Sequence, residues 1–323
     1  MDPADFLADL EAKPAALVEL GRTLRAADLW DALPAAAPRR VVLLGMGSSR
    51  YAAGAAALRL RAAGIDAVAE YASAEAGWPP DRRTLVVAIS ASGESAETIA
   101  AAERHRGTSR LVALTDRPDS TIATMADLVV PLQAGEERGG VACRSFQHTG
   151  LLLRAFEARL GGHPVDLPSL CDRVATATAD LLGRRDDWLP RLVRALDGPD
   201  GAYLIAPVER LATAEQGALM IREGPRRPAV ACETGDWSHV DVYLAKTLEY
   251  RALIFAGSRW DGQAVEWLRR RGSTFVAVGR DMPGAAATVR YPGDDVPDVA
   301  TFSEILVPEL LAAAWWAAVN RPA

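Results

Sequence analysis

The fold is indicated first by the stretch Val86-Val87-Ala88-Ile89-Ser90-Ala91-Ser92-Gly93-Glu94-Ser95-Ala96-Glu97-Thr98. A run of apolar residues, several of them β-branched, ends abruptly in hydroxyl side chains around one glycine. A run that favours helix, residues 96–102, follows directly. This order predicts a buried strand that leads through a serine-rich turn into a helix. Such a turn offers unpaired backbone N–H groups, hydroxyl donors and the positive end of the helix dipole, so a phosphate group is the ligand that suits it best.

Outward from this stretch, strand and helix patterns alternate along the chain. Alternation of this kind predicts a parallel sheet with helices on both faces. After a linker at 164–168 and a helical connection, the alternation begins again without visible sequence repetition. We therefore predict an α/β fold of two subdomains, each a parallel sheet flanked by helices in a flavodoxin-like or Rossmann-like arrangement. The predicted segments are an N-terminal helical segment (1–35), the first subdomain (36–165), a helical connection (166–196) and the second subdomain (197–323).

The individual elements follow from periodicity and length. An N-terminal helix is predicted over 5–27, with a break or kink at Pro14 because proline disrupts a helix interior. The predicted strands are 41–44, 67–71, 84–90, 111–115, 128–132, 202–206, 252–256 and 274–278. The other predicted helices are 49–63, 95–106, 146–160, 212–222, 264–271 and 302–319.

The bulk composition excludes several classes of protein. The chain has 323 residues, half of them hydrophobic, and a net charge of −6, so it offers no general attraction to nucleic acid. No uninterrupted apolar run reaches the roughly 18 residues that span a bilayer, and the acidic start lacks a signal-peptide pattern. The three cysteines, Cys143, Cys171 and Cys232, have no metal-ligand or disulfide spacing. We expect a cytoplasmic protein with no metal site that binds neither membrane nor nucleic acid.

A second turn of small residues, Gly45-Met46-Gly47-Ser48-Ser49-Arg50, follows the first predicted strand. A dinucleotide-binding fingerprint would need a third glycine where Arg50 stands, so that interpretation is disfavoured. The hydroxyls either cap the next helix or bind a ligand, and the residues alone leave both alternatives open. Two such turns favour a ligand, because ligands of open α/β sheets bind at the carboxyl ends of the strands. A nucleophile elbow at Ser92 is excluded because Ser90 occupies the position of its first glycine.

Together, Gly47-Ser48-Ser49 and the serines of 90–95 resemble the SIS (sugar isomerase) family of phosphosugar-binding proteins. The resemblance extends to a second-half stretch, 215–223, to Gly235-Asp236-Trp237-Ser238-His239, and to the segment 136–142. Over about 10–318 the chain is similar to the isomerase half of glucosamine-6-phosphate synthase and to fructosamine-6-phosphate deglycases. The resemblance implies that the protein is a homodimer, that it binds a sugar phosphate and that it needs no cofactor.

The resemblance also implies roles for individual residues. Glu223 matches a carboxylate that moves a proton between C1 and C2 of the open-chain sugar, and a carboxylate with a raised pKa suits that task. His239 matches a histidine that opens the sugar ring and reaches the site from the partner subunit. The residues implied to bind phosphate are Ser49, Ser90, Ser92 and Ser95, with the backbone amide of Ala91. The residues implied to contact the sugar are Gly47, Ser48, Glu137 and Gly140.

Three departures from the synthase pattern narrow the expected activity. Asp2 follows Met1 where the synthase has a nucleophilic cysteine, so we do not expect glutamine-dependent amination. Met220 stands in place of a lysine near the catalytic glutamate, and the end of the chain carries no tail lysine, so imine catalysis is not expected. The sequence favours an aldose–ketose isomerase for a hexose or amino-hexose 6-phosphate. Two alternatives stay open: a deglycase or deaminase that cleaves the C–N bond of a fructosamine-type 6-phosphate, and a non-catalytic sugar-phosphate sensor.

Overall fold

The computed structural model describes residues 1–33 and 38–319. The predicted boundary between residues 35 and 36 and the tail from Asn320 lie outside these residues. The strands are β1 (Arg40–Gly45), β2 (Ala67–Tyr71), β3 (Thr84–Ile89), β4 (Arg110–Thr115), β5 (Leu128–Pro131), β6 (Ala202–Ala206), β7 (Ala229–Glu233), β8 (Arg251–Phe255), β9 (Thr274–Val278) and β10 (Ala287–Val289). The helices are α1 (Pro3–Glu11), α2 (Lys13–Ala26), α3 (Gly47–Ala62), α4 (Ala96–Glu103), α5 (Thr121–Met125), α6 (Arg144–Arg159), α7 (Leu167–Gly183), α8 (Arg185–Leu196), α9 (Leu211–Glu223), α10 (Thr234–Trp237), α11 (Asp261–Arg270), α12 (Pro297–Ser303) and α13 (Leu306–Val319), with 3₁₀ turns at Val208–Arg210 and Asp241–Lys246.

The first sheet has the strand order β2-β1-β3-β4-β5, and all its pairings are parallel. Its central pair is in register with Val42 opposite Val86 and Leu43 opposite Val87. All six residues of β3 are buried, which is why this strand is a continuous apolar run rather than an alternating one. The order reverses between β1 and β3, so the chain leaves these two strands in opposite directions along the sheet.

The second sheet has the order β10-β9-β8-β6-β7 and is also parallel. If β6 is matched with β1 and β8 with β3, its topology is the same as that of the first sheet, and the order reverses between β6 and β8. The predicted α/β fold of two subdomains, each a parallel sheet flanked by helices, is therefore confirmed.

Several short elements were missed by the sequence patterns. Strands β7 and β10 form the two edges of the second sheet, and only one residue of each is fully buried. Edge strands need no continuous apolar run, so neither strand has the pattern that identifies a buried strand. Helices α5 and α10 span 5 and 4 residues, too few to show helical periodicity.

Contacts divide the chain into two compact units. The first-sheet unit comprises Ala16–Glu136 and Arg144–Asp172, and it contains β1–β5. The second-sheet unit comprises Met1–Ala15, Glu137–Cys143 and the chain from Arg173 onward, and it contains β6–β10. Each unit therefore has its own parallel sheet, and the second-sheet unit is assembled from three separate stretches of sequence.

The N-terminal helix breaks where the sequence predicted a break. Helix α1 ends at Glu11 and α2 starts at Lys13, so Pro14 occupies the first turn of a new helix. Proline is tolerated there because the N–H groups of a first helical turn have no partner within the helix. Asp2 caps α1 by accepting from the backbone N–H groups of Ala4 and Asp5. The single predicted helix of 5–27 is therefore two helices.

The C-terminal helical stretch Pro297–Val319 is long and apolar enough to cross a membrane by length and composition. Of its most apolar window, however, 78% is buried inside the fold, as in a core helix. Its second half, α13, packs against α1 and α9, and the ring centroids of Phe6 and Trp316 lie 5.8 Å apart. Glu309 in α13 forms a fully buried ion pair with Lys13. The predicted helix over 302–319 is divided, because α12 ends at Ser303 and α13 begins at Leu306.

Candidate functional site

Two turns with serine side chains lie at the carboxyl ends of neighbouring strands in the first sheet. One follows β1 and leads into α3, and the other follows β3 and leads into α4. Because β1 and β3 are paired and parallel, both turns are at the same edge of the sheet. This edge is also where the strand order reverses, which is the usual location of ligand sites in open α/β sheets.

The turn after β1 depends on two glycines. A Cβ on Gly45 would lie 2.8 Å from the Cβ of Ser49, and Gly47 has a φ of +49°. The residue before α3, Met46, makes no side-chain capping hydrogen bond. The N–H of Ser49 donates to the carbonyl of Met46 at 3.1 Å, so the N–H groups of Gly47 and Ser48 are those left for an acceptor outside the helix. Ser48 and Ser49 lie within the first turn of α3 rather than at its cap, so they do not cap this helix.

The turn after β3 is ordered by its own serines. The Oγ of Ser90 accepts from the N–H of Gly93 at 3.1 Å, and the Oγ of Ser92 accepts from the N–H of Glu94 at 3.2 Å. Gly93 has a φ of +68° and lies against Ser120, where a Cβ would overlap the Ser120 side chain. Within residues 1–33 and 38–319, the O–H groups of Ser90 and Ser92 have no acceptor. Both hydroxyls can therefore donate to an anion.

Ser95 and the two glutamates beside it have partners within the protein. Ser95 caps α4 by accepting from the N–H of Thr98, and its O–H donates to Glu97 at 3.0 Å. The carboxylate of Glu94 accepts from the N–H and the hydroxyl of Thr121, both at 2.8 Å. These bonds hold the pKa of Glu94 below its usual value. The turn thus combines two free hydroxyl donors with a capped helix start.

Glu223 is the last residue of α9, in the second-sheet unit. Its side chain is half-buried, and burial raises the pKa of this carboxyl group while Arg222 partly opposes the shift. A carboxylate with a raised pKa is a better proton acceptor near neutral pH than an exposed one. Met220, which stands where the synthase pattern has a lysine, is fully packed.

His239 is exposed and follows the short helix α10, also in the second-sheet unit. Its backbone N–H donates to the carbonyl of Asp236 at 2.8 Å, so the backbone of His239 is held against α10. Exposed apolar side chains come directly after it: Val240, Tyr243 and Leu244 are 54%, 61% and 37% exposed. His239 thus lies beside an exposed apolar surface.

The segment 137–143 forms a closed loop in the second-sheet unit. The N–H of Cys143 donates to Oε1 of Glu137 at 2.6 Å, so Glu137 holds the two ends of the segment together. Gly140 has a φ of +73°, which favours glycine. The sequence patterns missed Gln216, whose Nε2 donates to the carbonyl of Ala142 at 2.7 Å. Its position seven residues before Glu223 is the one signal that could have drawn attention to it.

The predicted site residues therefore fall into two groups. All those with implied phosphate contacts, together with Gly47 and Ser48, lie in the first-sheet unit. Those with implied proton-transfer roles, together with Glu137 and Gly140, lie in the second-sheet unit. The first group is brought together by the strand ends of β1 and β3, and in the second group α9 is linked to segment 137–143 through Gln216.

At the corresponding edge of the second sheet, the turn after β8 carries one serine, Ser258, whose Oγ accepts from the N–H of Trp260 at 3.1 Å. Arg210, which follows β6, donates through Nη1 to Glu304 and through Nη2 to the carbonyl of Ala256, both at 2.5 Å. The hydroxyl of Tyr291 donates to the same carboxylate at 2.9 Å. Burial raises the pKa of Glu304 to about 7, against the opposing effects of Arg210 and Tyr291. The turn after β6 is thus occupied by a buried ion pair.

A family model of the SIS domain matches residues 36–158. The chain is 29% identical over 259 residues to the glutamine–fructose-6-phosphate aminotransferase (isomerizing) of Pyrobaculum aerophilum, which covers 76% of this chain. Only 42% of that relative is covered, so the chain spans less than half of its length.

Two solved structures share the fold over nearly the whole chain. The C-terminal domain of glucosamine-fructose-6-phosphate aminotransferase from Francisella tularensis has a TM-score of 0.79 at 14% identity, covering 97% of this chain and 96% of that one. Tagatose-6-phosphate ketose/aldose isomerase from Escherichia coli has a TM-score of 0.80 at 16% identity, with coverages of 100% and 96%. Residues 36–158 therefore match a SIS domain, and this stretch contains the whole first sheet and both serine-bearing turns.

Proposed function

We propose that this protein is a cofactor-independent aldose–ketose isomerase for a hexose or amino-hexose 6-phosphate. The observation that carries the proposal is the pair of serine-bearing turns at the carboxyl ends of β1 and β3. They combine the uncapped first turn of α3 with the free hydroxyls of Ser90 and Ser92. Backbone N–H groups at a helix start and neutral hydroxyls bind a phosphate without any lysine. Ser49, Ser95 and the amide of Ala91 complete the phosphate contacts in this proposal.

Glu223 is the proposed base. An aldose–ketose shift moves a proton between C1 and C2, so it needs a group that first accepts that proton and then returns it. The half-buried carboxylate of Glu223, with its raised pKa, has the right chemistry for both steps. The phosphate supplies binding energy away from the reacting carbons and so positions them. Gly47, Ser48, Glu137 and Gly140 contact the sugar in this proposal.

His239 opens the sugar ring in this proposal, and it does so in the partner subunit of a homodimer. The exposed side chains of Val240, Tyr243 and Leu244 support an interface beside it, since apolar and aromatic residues are enriched in the cores of such interfaces. We also propose that the protein is located in the cytoplasm.

The decisive variant is Glu223→Gln, which keeps the shape of the side chain and removes the base. We expect turnover of hexose 6-phosphates to fall by about 10²–10⁴-fold. Binding of the same sugar phosphate, measured by titration calorimetry, should remain. An unchanged rate would remove Glu223 from the mechanism.

The same assays separate the alternatives. Release of an amine from fructosamine 6-phosphates, without aldose–ketose exchange, would identify a deglycase or deaminase. Saturable binding with no product from any hexose, hexosamine or fructosamine 6-phosphate would identify a sensor.

Action of His239 across subunits is tested by mixing two inactive variants, Glu223→Gln and His239→Ala. If each site takes Glu223 from one subunit and His239 from the other, a mixed dimer contains one intact site. Activity should then return on mixing and subunit exchange. If both residues act within one subunit, each subunit of the mixed dimer lacks one residue and the mixture stays inactive.

A further inference from the structure

The segment 137–143 is attached to the second-sheet unit, although the residues on both sides of it belong to the first-sheet unit. At its near end, the N–H of Gly139 donates to Oδ2 of Asp9 at 2.7 Å, and Asp9 is buried in α1. Gly139 lies so close to α1 that a Cβ would be 2.5 Å from the Cα of Phe6. This end of the segment is therefore fixed to α1.

The far end is fixed to α9. Gln216 is fully buried there, and its Nε2 donates to the carbonyl of Ala142. Its Oε1 is also buried and has no hydrogen-bond partner in the described residues. Within the described residues, Gln216 therefore acts as a hydrogen-bond donor through Nε2 and not as an acceptor through Oε1.

Helix α9 connects this contact to Glu223. Gln216 and Glu223 are seven residues apart on one continuous helix, so they lie on the same face about 10 Å apart along its axis. The helix packs against β6, β7 and α13, which leaves it little freedom to shift. A displacement of the segment relative to α9 would therefore be a displacement relative to Glu223.

We propose that Gln216 is a positioning residue that holds segment 137–143 at a fixed distance from Glu223. This inference rests on the proposed function, in which the segment contacts the sugar and Glu223 moves its proton. Proton transfer is sensitive to misplacement by about 1 Å, which can lower a rate by roughly 100-fold. Phosphate contacts come from other residues, so Gln216 should affect the rate of reaction more than the apparent affinity.

The test uses Gln216→Met, which has a similar length and no donor, and Gln216→Glu, which places a carboxylate against the carbonyl of Ala142. Gln263→Met, at an exposed position of α11, is the matched control. For both Gln216 variants we expect kcat to fall about 10–100-fold, with KM changed less than threefold. Hydrogen exchange of the peptide that contains 137–143 should become faster, while the control matches the wild type.

Two results would overturn the inference. In the first, hydrogen exchange of this peptide becomes faster in a Gln216 variant while kcat stays at the wild-type value. Gln216 would then hold the segment, but its position would not matter for the reaction. In the second, exchange is unchanged and Gln216 does not hold the segment. A wild-type protein that converts none of the sugar phosphates would instead contradict the proposed function, and the exchange experiment would still decide whether Gln216 holds the segment.

Discussion

The carboxyl edges of the two sheets share one strand order and differ in what fills them. In the first sheet, the turns after β1 and β3 offer the N–H groups of Gly47 and Ser48 and the O–H groups of Ser90 and Ser92, which donate to no acceptor within the described residues. In the second sheet, Arg210 follows β6 and pairs with Glu304. After β8, the carboxylate of Asp261 accepts from the N–H of Gly257 at 2.6 Å. The two sheets share one topology, and they differ most in the turn after the central strand β1 or β6: an uncapped helix start follows β1, whereas a buried ion pair follows β6.

The largest expected effect is on the second sheet. Glu304→Ala removes the carboxylate and leaves Arg210 buried without its partner, so the free energy of unfolding should fall by about 3–5 kcal/mol. Denaturation in urea measures it, with the exposed Glu209→Ala as the control, expected within about 0.5 kcal/mol of the wild type. A loss under 1 kcal/mol would show that this edge is not held by the ion pair.

Next comes the turn after β3. Gly93→Ala adds a Cβ that overlaps Ser120 in a backbone conformation that costs a non-glycine residue about 1–2 kcal/mol. We expect the turn to shift and the Kd for glucose 6-phosphate to rise at least tenfold. Gly107→Ala is the matched control, because Gly107 has a φ of +71° but open space around it. Equal effects of the two variants on binding would mean that the packing of Gly93 does not shape the site.

Ser92→Ala tests the free hydroxyl directly. A hydrogen bond to a charged group contributes about 1.5–3 kcal/mol, so the Kd for glucose 6-phosphate should rise about 10–100-fold. Ser258 holds the matching position, three residues after the end of β8, and Ser258→Ala should leave the Kd unchanged. Calorimetry with glucose 6-phosphate and with inorganic phosphate measures both. Weaker binding in both variants would contradict the difference between the two edges.

The smallest effect concerns acid stability. The pKa of Glu94 is lowered by its bonds from Thr121, so its stabilising effect is present above the unfolded pKa and is lost as the pH falls through the folded value. Glu94→Gln cannot titrate, so its Tm should fall less than that of the wild type between pH 6 and pH 3. Glu19→Gln, an exposed change in α2, shows the effect of removing one surface charge. Parallel Tm curves for the wild type and Glu94→Gln would contradict this account.

Eight strands were predicted within one residue of their observed bounds, and they include β2 and β5, the edge strands of the first sheet. β1, β3, β4, β6, β8 and β9 are apolar runs bounded by turn residues, and their predicted positions lie within one residue of the observed ones. The serine turns could be predicted too, because turn chemistry is local. What local sequence could not predict is pairing over long distances: Arg210 and Glu304 are 94 residues apart, and Gln216 and Ala142 are 74 apart. At position 216 a buried glutamine on a helix has no pattern that distinguishes it from a core residue.

The three-part composition of the second-sheet unit has a consequence for how the protein is made. Both stretches of the first-sheet unit lie within residues 16–172, so that unit is fully synthesised before most of the second-sheet unit. Helix α1 precedes the first-sheet unit in the chain, but it packs against α13, which follows that unit. The packing of α1 can therefore be completed only after α13 has been synthesised, so the second-sheet unit is assembled later than the first-sheet unit.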